Sequence, residues 1–467
     1  MGLLTFVSIR SLSATSSNLF RVVARGVESQ ECAYPIAGKK TVTTDIENAF
    51  GGIKSGDHIF VHGIAATPTP LLEVFCEYVK SNDLKKITLH HLHLEGPVPW
   101  TAADIKDRIR SNSLFTGGNL RKAVNDGTAD FNSTFLHEVP LLFRSGAIKL
   151  DAAFIQVSEP DVFGYCSLGT SVDATRAAVT QANHIIAMIN RNMPRTFGDS
   201  VIHESHIDVA IECHDHKLHE RPTSGQPSTE EKKIGELIAK NLVDNGATLQ
   251  MGIGAIPDAA LAALTHHKDL GIHTEMFSDG VLDLIKCNAI TNSKKTFDNN
   301  ILYIFIFFLP PIFCIVFFGD VAWVNDPAVI REMPKMTAIN SAVEIDLTGQ
   351  VVSDSVGSRF ISGFGGQVDF IRGSAIGDDG LGKPIIALPS VTKKGQSKIV
   401  PFINEGGGVV TSRAHVHYVV TENGIAQLWG KNMRQRAYEL IKIANPSTQA
   451  FLEKAAFNRL KVMPSPD

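Results

Sequence analysis

The chain has no C-x-x-C pair, and its six cysteines (Cys32, Cys76, Cys166, Cys213, Cys287, Cys314) are scattered through 467 residues. A zinc ribbon and a thioredoxin motif are therefore excluded, and no dense disulfide framework is expected. The sequence also lacks a basic excess. Lys and Arg total 44 against 48 Asp and Glu, a formal net charge of −4. Without a positive field there is no footprint for nucleic acid, so a DNA- or RNA-binding role is disfavoured. No G-x-x-x-x-G-K-[ST] loop and no G-x-S-x-G elbow occurs. Gly252-Ile253-Gly254 imitates a dinucleotide loop, but the third glycine of that fingerprint would fall on Pro257, so it fails.

Acidic residues are missing from the first 27 positions, which carry Arg10, Arg21 and Arg25; Glu28 is the first acid. This composition reads as a mitochondrial transit peptide over 1–29 and places the protein in the matrix. A disordered N-terminus is the plainer alternative. Residues 463–467 read as a frayed tail.

Hydrophobic residues make up 44% and charged residues 20% of the chain, which suits a folded soluble enzyme. At roughly 100–200 residues per domain, the length predicts two or three domains. Strands are predicted at 58–62, 87–93, 152–157, 184–189 and 206–211, with helices near 72–78, 101–110 and 171–182. Such alternation argues an α/β fold with a largely parallel sheet. Residues 220–232 are polar and rich in Pro, Ser and Gly, and read as a linker. An amphipathic helix through Ile234, Leu237, Ile238 and Leu242 follows. A strand at 249–253, a glycine turn and a helix opened by Pro257 then repeat the pattern of the first half. The expectation is two tandem open α/β domains, 30–225 and 230–467.

One segment departs from this plan. Residues 301–318 are 18 consecutive uncharged positions, broken in the middle by Pro310-Pro311. The length suits a membrane span, yet the prolines break a helix there. A buried native segment and translated intron sequence are the other readings, and the last is preferred. On that view 297–319 is an anomalous insert and membrane association is not expected.

Two histidine clusters, His90-His91-Leu92-His93 and Cys213-His214-Asp215-His216, invite a metal reading. In a strand His91 and His93 would share a face. No further ligands follow at a metal-binding spacing, and seventeen histidines cluster readily by chance, so no metal site is expected. Glu275, in Gly271-Ile272-His273-Thr274-Glu275-Met276, is better placed. It lies at or just beyond a short apolar strand, where a sheet's carboxyl end meets a ligand crevice. The plainer reading is a solvated loop carboxylate. Ser362-Gly363-Phe364-Gly365-Gly366-Gln367 can expose consecutive N–H groups to an oxyanion, or can be an ordinary turn.

Taken together, HTEMFSDG around Glu275, GIGAIPDAALAAL, TAINSAVEIDLTGQV (337–351), GFGGQVDF (363–370), LFTGGNLRKAVNDGTADF (114–131) and VHGIAATPTPLLE (61–73) resemble the acetyl-CoA hydrolase/transferase family. That family includes 4-hydroxybutyrate and acetate:succinate CoA-transferases. The likeness spans 30–296 and 320–460. It implies two CoA-transferase-type α/β domains with the active site between them. It implies that Glu275 is a nucleophile passing through a glutamyl-CoA thioester. Gly254, Gly365 and Asn340 would serve the oxyanion, and Gly365, Gly366, Gln367, Gly252 and Gly254 would contact CoA. Gly63–Thr67 and Gly117–Asn119 would line the cleft. Coenzyme A is then substrate and covalent intermediate, with no tightly bound cofactor. The partners are acyl-CoA and short carboxylates such as succinate, and a homo-oligomer is expected. Acetyl-CoA hydrolysis is an alternative activity. An inactive acyl-CoA-binding protein is an alternative of another class.

Overall fold

The computed structural model describes residues 32–220, 225–276, 278–297, 302–304 and 316–467. Residues 1–29, read above as a transit peptide, and the Pro310-Pro311 centre of the apolar run lie outside these.

The first half is built on one eight-stranded sheet. Its strands are β1 (Val42–Thr43), β2 (His58–Val61), β3 (Ile87–His91), β4 (Ile109–Ser113), β5 (Asp130–Phe131), β6 (Ala152–Val157), β7 (His184–Ile189) and β8 (Val209–Glu212). They lie in the order β1-β8-β7-β6-β2-β3-β4-β5, every neighbouring pair parallel. A parallel sheet is covered on both faces, so its central strands are apolar throughout rather than alternating. Ala152–Val157 is buried at every position. After β2 the chain turns through Gly63 into α1 (Thr69–Ser81), and the order reverses beside β2, between β3 and β6. Ligand crevices open at such reversals, outside the carboxyl ends of the strands.

The second half repeats the scheme with β9 (Thr248–Met251), β10 (Gly271–Ile272), β11 (Thr337–Ser341), β12 (Lys383–Ala387), β13 (Tyr418–Thr421) and β14 (Gly424–Gln427), in the order β10-β9-β11-β12-β13-β14. All pairs are parallel except the final β13–β14 hairpin. Helix α2 (Thr229–Leu242) enters this half. Its Ser228 side chain accepts the Glu231 N–H while Glu231 reaches back to the Ser228 N–H, a reciprocal cap that contributes about 1 kcal/mol. The helix therefore begins inside the polar stretch read as a linker. Helix α3 (Ala255–Ala262) starts at Gly254, whose φ of +134° is open to glycine alone.

Two local expectations need correction, and the edges of the apolar run can be placed. Residues 101–110 are not a helix. Ile105 and Ile109 imitate helical spacing, but Ile109, Ser111 and Ser113 alternate into the core as β4. The tail is not frayed, because Arg434 holds the Ser465 hydroxyl at 2.9 Å and Gln435 the Pro466 carbonyl at 3.2 Å. The edges of the apolar run belong to the fold. Leu302–Ile304 pairs with Val316–Phe318, which pairs in turn with Phe197–Gly198 of the first half. Phe318 is fully buried and its carbonyl accepts the Asp199 N–H at 2.8 Å. Among the described residues no helix is long and apolar enough to cross a membrane.

Candidate active site

A cleft of about 360 Å³ lies between residues of the two halves. Ile64, Leu92, Phe115 and Leu136 line it from the first half, and Ile253, Met276, Glu275 and Ser341 from the second. The wall is mostly apolar. Its charged side chains are Glu275 and Arg121, with His93 beside them.

Glu275 follows β10 by three residues. Its backbone is pinned on both sides. The Thr274 hydroxyl bonds the Met251 carbonyl at 3.2 Å and the Met276 carbonyl at 2.9 Å. His273 is fully buried and bonds the Val324 carbonyl at 2.7 Å through Nε2. Burial pushes that imidazole down to about 3, so it is a neutral donor that fixes Asn325, the next residue. Asn325 Nδ2 then donates to Glu275 Oε2 at 3.1 Å and faces Asp369 Oδ2 at 3.4 Å. Asp369, buried in the first turn of helix α4 (Gln367–Ala375), accepts His137 Nδ1 at 2.8 Å and the His137 N–H at 3.2 Å. A polar chain thus runs from His137 in the first half to Glu275 in the second.

The Gly366 backbone N–H also lies against Glu275 and favours its charged form. A Cβ at Gly366 would lie 2.1 Å from both Glu275 Oε2 and Asn325 Nδ2, so the backbone reaches the carboxylate only because no side chain intervenes. Gly365 has φ +69°, and a Cβ on Gly363 would meet Phe115 Cα at 2.6 Å. The glycines of this loop fit it between the nucleophile candidate and the first half.

Burial pushes the Glu275 carboxyl up to about 7; the Asn325 bond opposes this, the Asp369 charge adds to it, and the Gly366 N–H opposes it. A free glutamate would be almost fully ionised at neutral pH, whereas this one is half protonated, and its carboxylate form is the more basic for it. Chemistry that needs the carboxylate is expected to show kcat/KM rising with pH through about 7 and levelling above. Below it, kcat/KM should fall about tenfold per pH unit. A pH series on the free enzyme checks this; a limb near 4.5, the ordinary value for a glutamate, would contradict it.

The other nominated residues are placed differently. Gly252 lines the cleft, while Gly254 caps α3. Asn340, at the end of β11, spends its amide on Gln250 at 2.9 Å, and its neighbour Ser341 faces the cleft. The Gln367 amide is likewise occupied, donating to the Ser341 carbonyl at 2.8 Å and accepting the Ser353 and Thr411 hydroxyls at 2.9 Å. Ile64 of the Gly63–Thr67 turn faces the cleft, and Asn119 bonds the Leu94 and Gly96 carbonyls at 3.1 and 2.9 Å. The histidines of the first cluster serve separate bonds: His90 to His58, His91 to Ser111, His93 to Glu95. Among the described residues no group of three or more His, Cys, Asp or Glu is arranged to hold a metal ion. Sequence reasoning missed Asn325, His137 and the part played by Asp369.

The sequence and the fold both have counterparts among known proteins. The N-terminal domain model of the acetyl-CoA hydrolase/transferase family matches residues 38–219, and its C-terminal domain model matches 314–456. A succinyl-CoA:acetate/propanoyl-CoA:succinate CoA transferase from Fasciola hepatica is 55% identical over 428 residues, 90% of this chain and 88% of that protein. The 4-hydroxybutyrate coenzyme A transferase of Clostridium kluyveri is 45% identical over 397 residues, 83% and 90% of the two chains. The crystal structure of RipA from Yersinia pestis matches with a TM-score of 0.83 at 31% identity, covering 90% of this chain and 98% of its own. With both domain models matched in order and these identities sustained across more than four-fifths of its length, the chain belongs to the acetyl-CoA hydrolase/transferase family.

Proposed function

We propose that the protein is a CoA-transferase that moves CoA from acetyl-CoA to a short carboxylate such as succinate, with Glu275 as the nucleophile. The observation that carries this reading is the Glu275 carboxylate in an apolar cleft, held by Asn325 and approached closely by the Gly366 backbone. The CoA-transferase relatives support the substrate class.

In the proposed sequence a Glu275 oxygen attacks the acetyl carbonyl. The C–S bond breaks, giving an acetyl-glutamyl anhydride and CoA thiolate. The thiolate attacks the glutamyl carbonyl and expels acetate, leaving a glutamyl-CoA thioester. The acceptor carboxylate attacks that thioester, releasing thiolate and forming a new anhydride. Thiolate then attacks the acceptor's acyl carbon, which yields its CoA ester and restores Glu275. Each hard exchange is divided into two easier ones. An apolar wall strips water from the carboxylate, and binding of the CoA portion supplies the positioning. Backbone N–H groups around Gly252–Gly254 and Gly365–Gly366 are the proposed oxyanion donors. The acid-free, arginine-bearing first 27 residues support a mitochondrial location.

The test is product analysis from acetyl-CoA with and without succinate. Succinyl-CoA and acetate are expected in equal amounts, and only when succinate is present. Free CoA alone, at the same rate with or without succinate, would make the protein a hydrolase instead.

A further inference from the structure

Beyond the cleft wall, the two halves are joined by a row of contacts that ends at the nucleophile. The hairpin Ser355–Val356/Arg359–Phe360 of the second half reaches onto the short helix Arg121–Asn125 of the first. Asn125 and Phe360 form a two-way amide pair: Asn125 Nδ2 donates to the Phe360 carbonyl at 2.8 Å, and Asn125 Oδ1 accepts the Phe360 N–H at 3.0 Å. Arg121 Nε donates to the Ile361 carbonyl. The Phe360 ring lies 4.9 Å from that of Phe131, and Phe364 meets Phe135 edge-on at 5.3 Å. The Leu136 N–H donates to the Gly365 carbonyl at 3.3 Å. The next residue is Gly366, whose backbone packs directly against the Glu275 carboxylate.

Two features make this row a clasp rather than a fixed part of the core. First, Asn125 is exposed and Phe360 only half-buried, and bonds so close to solvent open at low cost compared with buried ones. Second, Leu136 and Ser362, within the row, themselves line the cleft. Opening the clasp therefore opens the cleft wall on the side that holds Glu275.

The consequence follows from the thioester chemistry, and it rests on the function proposed above. The glutamyl-CoA carbonyl can be attacked by the acceptor's carboxylate oxygen, which is transfer. It can equally be attacked by water. The C–S bond then breaks, Glu275 returns as a carboxylate, CoA leaves as its thiol, and the remaining proton passes to solvent. Both outcomes start from one intermediate, so their ratio depends on how long water is kept out. We infer that the clasp centred on Asn125 and Phe360 sets the ratio of CoA transfer to thioester hydrolysis. Asn125 does not itself line the cleft and does not touch Glu275; its amide bonds the Arg121 carbonyl at 2.7 Å and the Phe360 backbone, and it acts through the segments it holds.

The test compares wild type, Asn125→Ala and Asn125→Ala/Phe131→Ala under saturating acetyl-CoA and succinate, measuring succinyl-CoA and free CoA together. Asn241→Ala, on an exposed face of α2, controls for loss of an exposed asparagine bond. The hydrolysis-to-transfer ratio is expected to rise about tenfold in Asn125→Ala and further in the double variant, and to stay at the wild-type value in Asn241→Ala. Should the alanine variants fold poorly, Asn125→Asp keeps the acceptor for the Phe360 N–H and loses the donor, and the ratio should rise about threefold. An unchanged ratio in folded variants, or both rates falling in proportion, would overturn the inference while leaving the transferase reading intact. A wild-type protein that forms no succinyl-CoA would remove the reading and the inference with it.

Discussion

Glu275→Gln is expected to lower succinyl-CoA formation by at least about 10³-fold, with little change in the affinity for CoA. Gln keeps the size and can still accept the Asn325 bond, but its amide oxygen is far too weak a nucleophile to open a thioester. The same substitution has an opposite effect on stability. The folded carboxyl binds its proton more tightly than the unfolded one, since burial raises it to about 7. Between about pH 4.5 and 7 the folded state therefore carries more protons, and stability falls as pH rises. Above 7 the full penalty of a charged, part-buried carboxylate is present. Gln never charges, so the variant should melt a few degrees higher than wild type at pH 8.5 and at the same temperature at pH 4.5. Thermal melts at the two pH values check this. Equal melting at pH 8.5 would mean that Glu275 is solvated.

Gly366→Ala should lower activity strongly through a single methyl group. The added carbon would need to occupy space 2.1 Å from Glu275 Oε2 and from Asn325 Nδ2. Neither neighbour moves freely. Asn325 follows a residue anchored by buried His273, and Glu275 is flanked by the bonds of Thr274. Relief must come from shifting the loop or turning the carboxylate, and a displacement near 1 Å at a reacting group lowers rates about 10²-fold. Overpacking should also destabilise by about 1–3 kcal/mol. Steady-state kinetics and denaturant unfolding together test this. Near-normal kcat in Gly366→Ala would show that Glu275 does not work in the conformation described.

The sheets were legible because parallel strands buried on both faces must be apolar at nearly every position, as in Ala152–Val157 and His184–Ile189. The error at 101–110 has the opposite origin. Two isoleucines four apart fit a helix as well as they fit the ends of a turn and a strand, and only the partner β3 decides. Glu275 stood out through its neighbours in sequence. Asn325, Asp369 and His137 did not, since they converge on it across 50 positions for Asn325–Glu275 and 232 for His137–Asp369, a distance over which no spacing pattern operates. Gln367 and Asn340 stood out through their motifs, and in the structure their amides bond the Ser341 carbonyl and Gln250. The apolar run stood out on composition; the pairing of its last three residues, Val316–Phe318, with Phe197–Gly198 lies across more than a hundred positions and no spacing pattern announces it.

The central claim is that CoA becomes covalently bound to Glu275. The most direct measurement is mass spectrometry of the protein incubated with acetyl-CoA alone, quenched in acid and digested. The account predicts that the peptide containing Glu275 gains the mass of one CoA less water. That gain should disappear on adding succinate and be absent from Glu275→Gln. Active protein that carries no such adduct, or carries it on another residue, would contradict the account.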